Sequence, residues 1–224
     1  MDDGVDDDLR AAVAERVAGV RERIAASGGS PQVGIVAVTK RFTTAHAEAA
    51  AAAGCMAIGE NYAQELLAKW ADRRPPVELQ FIGQLQRNKV RHLAGVVDVF
   101  ATVDRPALVA ELVRRVPAAR VFVQVDTTGE PGKGGCPLEE VPALVEAAVA
   151  AGLRVEGLMT VGPTEGGAER ARSGFRAVRV LTDRLGLGEC SMGMTADLEV
   201  AVQEGSTQLR LGTVLFGPRP MSDT

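Results

Sequence analysis

The amino-acid sequence predicts an α/β protein, namely a single (β/α)8 TIM barrel with an extra N-terminal helix. Short apolar runs rich in β-branched residues alternate with Ala- and Leu-rich helical segments, which is typical of strands buried on both faces. Eight such runs occur, and the short connections between them favour parallel strands. Eight strand–helix units favour closure into a barrel, and an open doubly wound sheet is the alternative. The length of 224 residues suits one barrel.

The elements follow from the periodicity of apolar residues. An amphipathic helix is predicted at 9–26, where apolar side chains recur every three or four positions, and the Gly-Gly-Ser-Pro segment 28–31 ends it. Strands are predicted at 33–40, 56–61, 78–83, 97–103, 120–126, 154–161, 189–194 and 208–217. Helices are predicted at 44–53, 106–116, 138–151, 165–185 and 197–204, and others begin near Ala63 and within 84–89. No helix-length segment follows the last strand, so the N-terminal helix is expected to complete the outer ring.

Composition narrows the class of protein. The net charge of −4 argues against nucleic-acid binding, which needs a basic face. Three cysteines without a CxxC pair suggest no disulfide framework, and no leader or long apolar stretch is evident. We therefore expect a cytoplasmic protein that binds neither nucleic acid nor membrane, and a monomer, since no stripe of large apolar surface residues stands out. Residues 9–217 are expected to form one domain between disordered tails at 1–8, which is acidic, and 218–224.

Candidate functional residues lie where the predicted strands end, because such barrels build their sites there. Lys40 ends the first strand after an apolar run. Apolar walls lower the pKa of an ammonium, as a Schiff-base amine requires, although on this segment alone a surface lysine is the stronger interpretation. Asn61 follows the second strand and is suited to orienting a ligand. An equal alternative is that Glu60 or Asn61 caps the helix that begins near Ala63.

The ends of the seventh and eighth strands predict a phosphate site, which barrels often have at this place. Met194 and Thr195 precede a helix whose first amides favour an anion, and Gly212 and Thr213 follow the eighth strand. The threonine hydroxyls are donors, and glycine lets the backbone approach an oxyanion closely. The plainer alternative is that Thr195 is a helix N-cap and the glycines are turn residues.

Arg210 is the most informative single residue. It alternates with Leu209 and Leu211, so that arginine and leucines face opposite sides of the strand, and the arginine is expected to face the barrel interior. A guanidinium buried there needs an acceptor. The ring nitrogen of a bound cofactor would supply one, and a buried carboxylate is the alternative.

Two further loops are polar, and the two histidines are far apart. The basic segment 81–89 suits an anion or a polar lid, and equally a solvated helix start. Segment 126–135 is similar to a phosphate-binding P-loop but has Thr127 in place of the first glycine and Gly134 in place of Ser or Thr after Lys133. It is interpreted as a mobile loop over the mouth. His46 and His92 lie on separate helical segments, so no metal site is predicted.

At these positions the sequence resembles the pyridoxal phosphate homeostasis protein family, short relatives of the N-terminal barrel of bacterial alanine racemase. The resemblance extends from Val33 to Arg219 and rests on AVTK, IGENYAQE, FIGQLQRNK, GLMT, SMGMTADLEVAVQEGST and RLGTVLFG in that order. The sequence departs from the usual pattern at Leu79-Gln80, where the family often has Trp-His, and at Gln84, where it often has Pro. Thr195 stands where Ser is common and keeps the hydroxyl.

The resemblance implies a set of cofactor-binding residues. Lys40 would carry pyridoxal 5′-phosphate as a Schiff base, and Arg210 would face the pyridine nitrogen. Thr195, Gly212 and Thr213 would hold the phosphate. We add Asn61 and Met194 to this set and predict no catalytic residue. Family members are usually described as carriers or buffers that affect vitamin B6 and amino-acid balance.

Carrier chemistry also agrees with the residues themselves. An arginine does not give up its proton, so a ring nitrogen facing it stays neutral and stabilises a carbanion weakly. A racemase needs an acid or base opposite Lys40, and Tyr62, the only tyrosine, lies just past the second strand. The second β-domain of the racemase is not expected. We predict reversible storage of the cofactor and hand-over to apo-enzymes. The alternatives are a small amino-acid racemase, a cofactor-free lysine aldolase and a regulatory binding module.

Overall fold

Eight parallel strands close into a barrel in the computed structural model, which describes residues 3–218, with side chains from Asp7 onward. The strands are β1 (Gly34–Val38), β2 (Ala57–Glu60), β3 (Glu78–Phe81), β4 (Val99–Val103), β5 (Arg120–Asp126), β6 (Arg154–Thr160), β7 (Glu189–Ser191) and β8 (Gln208–Leu211). Each pairs in parallel with its neighbour along the chain, and β8 returns to β1 with Gly34 opposite Gln208. The predicted (β/α)8 barrel is therefore confirmed, and the open sheet is excluded.

Helices surround the barrel between consecutive strands. They are α1 (Asp3–Ala26), α2 (Thr44–Ala52), α3 (Ala63–Trp70), α4 (Arg87–Leu93), α5 (Pro106–Arg115), α6 (Val141–Ala150), α7 (Arg172–Arg184), α8 (Leu198–Gln203) and α9 (Thr213–Phe216). A 3-10 turn, Ala168–Ala171, precedes α7, and a two-residue strand, Cys136–Pro137, pairs with the end of β5. The extra N-terminal helix α1 packs against α2, α8 and α9, as predicted for the element that completes the outer ring.

Two boundaries differ from the prediction. Helix α1 begins at Asp3, so residues assigned to the acidic tail form its first turns, while residues 1, 2 and 219–224 of the predicted tails lie outside the described part. The last strand was predicted too long, because β8 ends at Leu211 and α9 follows. The apolar run after Gly212 is helical because it packs against α1 and the bend before α2: Arg16 of α1 donates to the Leu215 carbonyl, and the ring of Phe216 lies 5.0 Å from that of Phe42.

The barrel has one apolar core outside the strands and a second, smaller one inside. Leu209 and Leu211 belong to the outer core, between the strands and the helices. The inner core consists of Val99, Ala101, Phe122 and Met159, with Ile82 and Val161 packed against it. Within the described residues, no helix is long and apolar enough to cross a lipid bilayer.

The end of the barrel at which the strands begin is polar. Arg120, at the start of β5, donates to the carboxylates of Glu156 on the neighbouring strand β6 and of Glu78 on β3, the strand beyond β4. This ion-pair network closes that end. The opposite end, where the strands finish, is the end at which barrels of this kind bind their ligands.

Candidate functional site

The predicted site residues gather at the ends of four neighbouring strands. Lys40 follows β1, Asn61 follows β2, and Gly212 and Thr213 follow β8. Met194 and Thr195 follow β7, and Arg210 belongs to β8 itself. Because the strand order is β7, β8, β1, β2, one arc of the barrel mouth contains all seven residues.

Lys40 is half-buried in a tight turn at the end of β1. The preceding residue, Thr39, is completely buried, and its amide donates to the Gly59 carbonyl of β2 at 3.1 Å. The Thr39 carbonyl accepts the amide of Phe42 at 2.9 Å, which closes the turn. Arg41 has a left-handed φ of 65°, an unusual backbone conformation for a residue other than glycine. Lys40 is thus presented by a short turn rather than by an extended loop.

Arg210 is buried inside the barrel, as its alternation with the leucines predicts. Its side chain is 4% exposed and donates to the Ser191 hydroxyl at 2.8 Å and to the Thr160 carbonyl at 2.6 Å. Burial lowers the pKa of the guanidinium to about 10, so it is still protonated at neutral pH. Among the described residues, no carboxylate lies within salt-bridge distance of it. The buried carboxylate of Asp197 does act on it through space, and its charge partly offsets the effect of burial on the pKa of the guanidinium.

Asn61 presents an unpaired oxygen. Its side-chain oxygen is buried and has no hydrogen-bond partner within the described part of the chain. The backbone of β3 approaches closely at this point, since a Cβ on Gly83 would lie 1.8 Å from the Asn61 carbonyl. Helix α3 begins at Ala63 with Tyr62 at the N-cap position and without a side-chain cap, so neither Glu60 nor Asn61 caps it. A buried, unused acceptor remains available to a ligand.

The ends of β7 and β8 form a turn region around glycines. Gly193 has a φ of 97°, and a Cβ on it would lie 2.4 Å from Ala201, so only glycine fits there without a shift. The Asp197 carboxylate accepts the Met194 amide at 2.6 Å, and helix α8 begins only at Leu198. Thr195 is therefore not an N-cap, and the Met194 amide is already engaged.

Because the Met194 amide is already bonded, the predicted phosphate site depends on Thr195, Gly212 and Thr213. The half-buried Thr195 and the exposed Thr213 present hydroxyls, and the amides of Thr213 and Val214, in the first turn of α9, have no partner within that helix. Gly212 brings its backbone close to β1, since a Cβ there would lie 3.2 Å from the Val38 carbonyl.

The glycine-rich loop after β5 is fastened to the loop after β6. Lys133 donates to the Gly162 carbonyl at 2.7 Å and pairs with Glu130 at 2.8 Å. Glu130 in turn accepts the amide and the hydroxyl of Thr164. The next helix begins only at Val141, unlike a P-loop, whose lysine opens a helix. The loop after β6 adjoins the arc that contains Lys40, since a Cβ on Gly162 would lie 2.7 Å from the Asp197 carboxylate.

Sequence reasoning missed the roles of four residues that support the site. Ser191 and Thr160 hold Arg210, and Glu60 and Lys69 hold the turn that contains Lys40. For Lys69 the sequence does contain a signal, because Glu65 lies four residues before it in a helical segment and such pairs meet on one face of a helix. No local pattern indicates that Ser191 and Thr160 converge on Arg210, because they come from three different strands.

The arrangement fits a ligand with three recognisable parts. A reactive carbonyl would meet the amine of Lys40, a ring acceptor would meet the buried guanidinium of Arg210, and an anionic group would meet the hydroxyls and amides at the ends of β7 and β8. The guanidinium has five N–H groups, of which the Ser191 and Thr160 bonds engage two. The residues present therefore fit pyridoxal 5′-phosphate, which has all three parts.

Comparison with known proteins places the chain in a family. The model of the alanine racemase N-terminal domain matches residues 10–220. A pyridoxal phosphate homeostasis protein from Pseudomonas aeruginosa is 41% identical over 218 residues, which cover 92% of this chain and 94% of that protein. Structures of PipY from Synechococcus elongatus, without and with PLP (pyridoxal 5′-phosphate) bound, have TM-scores of 0.80 and 0.77 at 31% and 32% identity. Each PipY alignment covers 92% of this chain and 100% of the other. The chain therefore belongs to the alanine racemase N-terminal domain family and, within it, to the pyridoxal phosphate homeostasis proteins.

Proposed function

We propose that this protein binds pyridoxal 5′-phosphate as a Schiff base on Lys40 and acts in vitamin B6 homeostasis as a carrier or buffer. The observation that carries the proposal is the buried guanidinium of Arg210, which has unused donors and, among the described residues, no salt bridge to a carboxylate. The relative from P. aeruginosa is named for this role, and a PipY structure contains bound PLP. Both support the assignment of the cofactor to this chain.

Each residue has a distinct part in holding the cofactor. When bound, pyridoxal phosphate supplies an aldehyde for a Schiff base, a pyridine nitrogen and a phosphate. Lys40 supplies the amine, and Asn61 supplies a buried acceptor beside it. Thr195, Gly212 and Thr213 would hold the phosphate, and the exposed side chain of Met194 lies next to Thr195 in the same turn.

The geometry favours a carrier over an enzyme. The guanidinium of Arg210 stays protonated at neutral pH, so it would donate to a ring nitrogen and would leave that nitrogen without a proton of its own. Enzymes that use the ring as a full electron sink place a carboxylate there instead. Tyr62, the only tyrosine, is half exposed beside the end of β2. We therefore propose storage and hand-over of the cofactor to apo-enzymes by a cytoplasmic monomer.

Absorbance and trapping test the proposal directly. Pyridoxal phosphate mixed with the purified protein should give a band near about 420 nm that borohydride removes, and mass spectrometry should locate the reduced adduct on Lys40. Lys40→Ala should abolish the band, whereas Lys89→Ala, a control at a half-buried lysine of α4, should retain it. An adduct on another lysine, or an unchanged band in Lys40→Ala, would refute the assignment.

A second measurement separates the carrier from a small racemase. The holo-protein is incubated with L-alanine or L-serine in deuterated water, and α-deuterium is measured by NMR. A carrier should incorporate no deuterium above the rate of free pyridoxal phosphate. Incorporation at turnover rates of about 1 s⁻¹ or faster, which is typical of enzymes, would overturn the carrier proposal.

A further inference from the structure

We propose that Glu60, Glu65 and Lys69 form a positioning cluster that anchors both chain neighbours of Lys40 and thereby fixes where its amine meets the cofactor. The inference rests on the proposed Schiff base on Lys40. The three residues come from β2, the strand that pairs with β1, and from α3, the helix that follows β2. None of them is assigned a contact with the cofactor, so their role is to position Lys40 rather than to react.

Lys69 is the centre of the cluster. Its ammonium donates to the Thr39 carbonyl at 2.8 Å, to Glu60 at 2.9 Å and to Glu65 at 2.7 Å. An ammonium has three N–H groups, so all of its donors are engaged. The side chain is only 12% exposed. Lys69 is therefore a fixed cross-link between α3, β2 and the residue that precedes Lys40, not a second amine for the aldehyde.

Glu60 holds the same side of the turn. Its carboxylate is completely buried at the end of β2 and accepts the Thr39 hydroxyl at 2.7 Å. The second carboxylate oxygen is buried without a hydrogen-bond partner within the described residues, and burial raises the pKa of this group. Burying a carboxylate in this way is costly, and an apolar side chain would fill the volume at a lower free energy. What the carboxylate adds is a defined position for Thr39.

Glu65 holds the other side of the turn. Its carboxylate accepts the backbone amide of Arg41, the residue that follows Lys40. Arg41 has a φ of 65°, a left-handed conformation that is unfavourable for a residue with a side chain. The hydrogen bond from Arg41 to Glu65 stabilises this conformation. Both residues that flank Lys40 are thus bonded to one charged cluster.

Fixing both neighbours limits where the lysine can reach. A lysine side chain has four rotatable carbon–carbon bonds, and an amine on a loose loop would spend little time beside a bound aldehyde. Pre-positioning of reacting groups accelerates a reaction by lowering the entropy that must be lost at the moment of contact. The cluster should therefore affect formation of the Schiff base far more than it affects recognition of the phosphate and ring.

Two variants test the cluster, with one matched control. Thr39→Val removes only the hydroxyl that Glu60 accepts, and Lys69→Met removes the central ammonium at similar length. Thr182→Val is the control, because Thr182 is equally buried and donates to a carbonyl inside α7, remote from the mouth. Two probes are used with the full chain. Pyridoxal phosphate reports Schiff-base formation at about 420 nm, and 4′-deoxypyridoxine 5′-phosphate, which lacks the aldehyde, reports binding of ring and phosphate alone.

We expect the rate constant for Schiff-base formation to fall about tenfold in Thr39→Val, because this variant loses one hydrogen bond to a charged group. The rate constant should fall further in Lys69→Met. The dissociation constant of the deoxy analogue should stay within about twofold of wild type, and Thr182→Val should match wild type with both probes. Should Lys69→Met fail to fold, as judged by circular dichroism, Thr39→Val alone decides.

Each contrary result has a separate meaning. Wild-type rates in Thr39→Val, with borohydride still trapping an adduct on Lys40, would overturn the positioning cluster and leave the cofactor assignment intact. An equal loss of affinity for the deoxy analogue would overturn it as well, because it would indicate general damage to the site. If borohydride traps no adduct on Lys40 in the wild-type protein, both the cofactor assignment and the cluster are refuted.

Discussion

Replacing Gly83 with alanine should destabilise the protein at the contact between β2 and β3. The new Cβ would lie 1.8 Å from the Asn61 carbonyl oxygen and 2.9 Å from the Asn61 Cα. Since Cβ contacts below 3.0 Å essentially never occur, the backbone must move by more than about 1 Å. The obstructing atoms belong to backbone, so rotation of a flexible side chain cannot relieve the contact.

The expected loss of stability is the difference between a steric cost in the folded state and an entropic gain from the unfolded state. Overpacking of this kind costs about 1–3 kcal/mol, and a clash with backbone belongs at the upper end. Alanine also lowers the entropy of the unfolded chain, which offsets about 0.4–1 kcal/mol, because Gly83 does not need a left-handed φ. The net loss should be about 2 kcal/mol. For a chain of this length the melting temperature should fall by about 4–8 °C.

Urea denaturation followed by circular dichroism measures the loss, with Gly19→Ala as the control. Gly19 lies inside helix α1, and a Cβ added to it would meet no atom within 4 Å. Alanine there should therefore stabilise the protein by about 0.5–1 kcal/mol. If Gly83→Ala unfolds within about 0.5 kcal/mol of wild type at an unchanged m-value, the steric reasoning is refuted.

Three other perturbations have definite expected outcomes. Arg210→Met should change the unfolding free energy of the cofactor-free protein by less than about 2 kcal/mol, because the guanidinium no longer has to be buried and this offsets two lost hydrogen bonds. The affinity for the cofactor, measured by titration, should fall. A larger loss of stability would contradict this reasoning. Burial raises the pKa of Cys55 to about 12, so native protein at pH 8 should not react at that thiol with a disulfide reagent, and rapid labelling would disprove it. The carboxyl of Glu130, held by Lys133 and Thr164, should titrate by NMR at a pKa of about 2. Any stability that it adds is therefore present above its ordinary pKa and is lost as the pH falls toward 2. Lys133→Met should raise this pKa, and an ordinary pKa in the wild-type protein would refute the pairing.

The sequence predicted the barrel because its signals are local and repeat eight times. Apolar runs mark the strands, and the alternation of Arg210 with Leu209 and Leu211 was sufficient to place the arginine inside. The prediction failed at β8, where an apolar run after Gly212 has the composition of a strand but forms the short helix α9. Composition does not distinguish these outcomes, since the packing of Phe216 on Phe42 decides them.

The site was predicted less completely than the fold. Lys40, Asn61 and the glycines could be identified because they follow strands directly. The partners of Lys40's neighbours could not, because Lys69 meets Thr39 across thirty positions of sequence and only the barrel brings them together. Glu60 was considered only as a helix cap, whereas its carboxylate bonds Thr39 and Lys69. Buried polar networks of this kind depend on tertiary structure, not on local pattern.

The filled interior of the barrel limits how a small molecule can enter and leave the site. Val99, Ala101, Phe122 and Met159 pack across the lumen, and Arg120 links two carboxylates at the far end. Within the described residues, the end of the barrel at which the strands finish is accordingly the one opening, and a small molecule both enters and leaves through it. If the cofactor is handed over to apo-enzymes as we propose, an acceptor enzyme must either dock over this opening or take up cofactor that has dissociated into solvent. The two routes differ in kinetics, since only docking makes the rate of delivery rise with acceptor concentration beyond the rate of spontaneous escape.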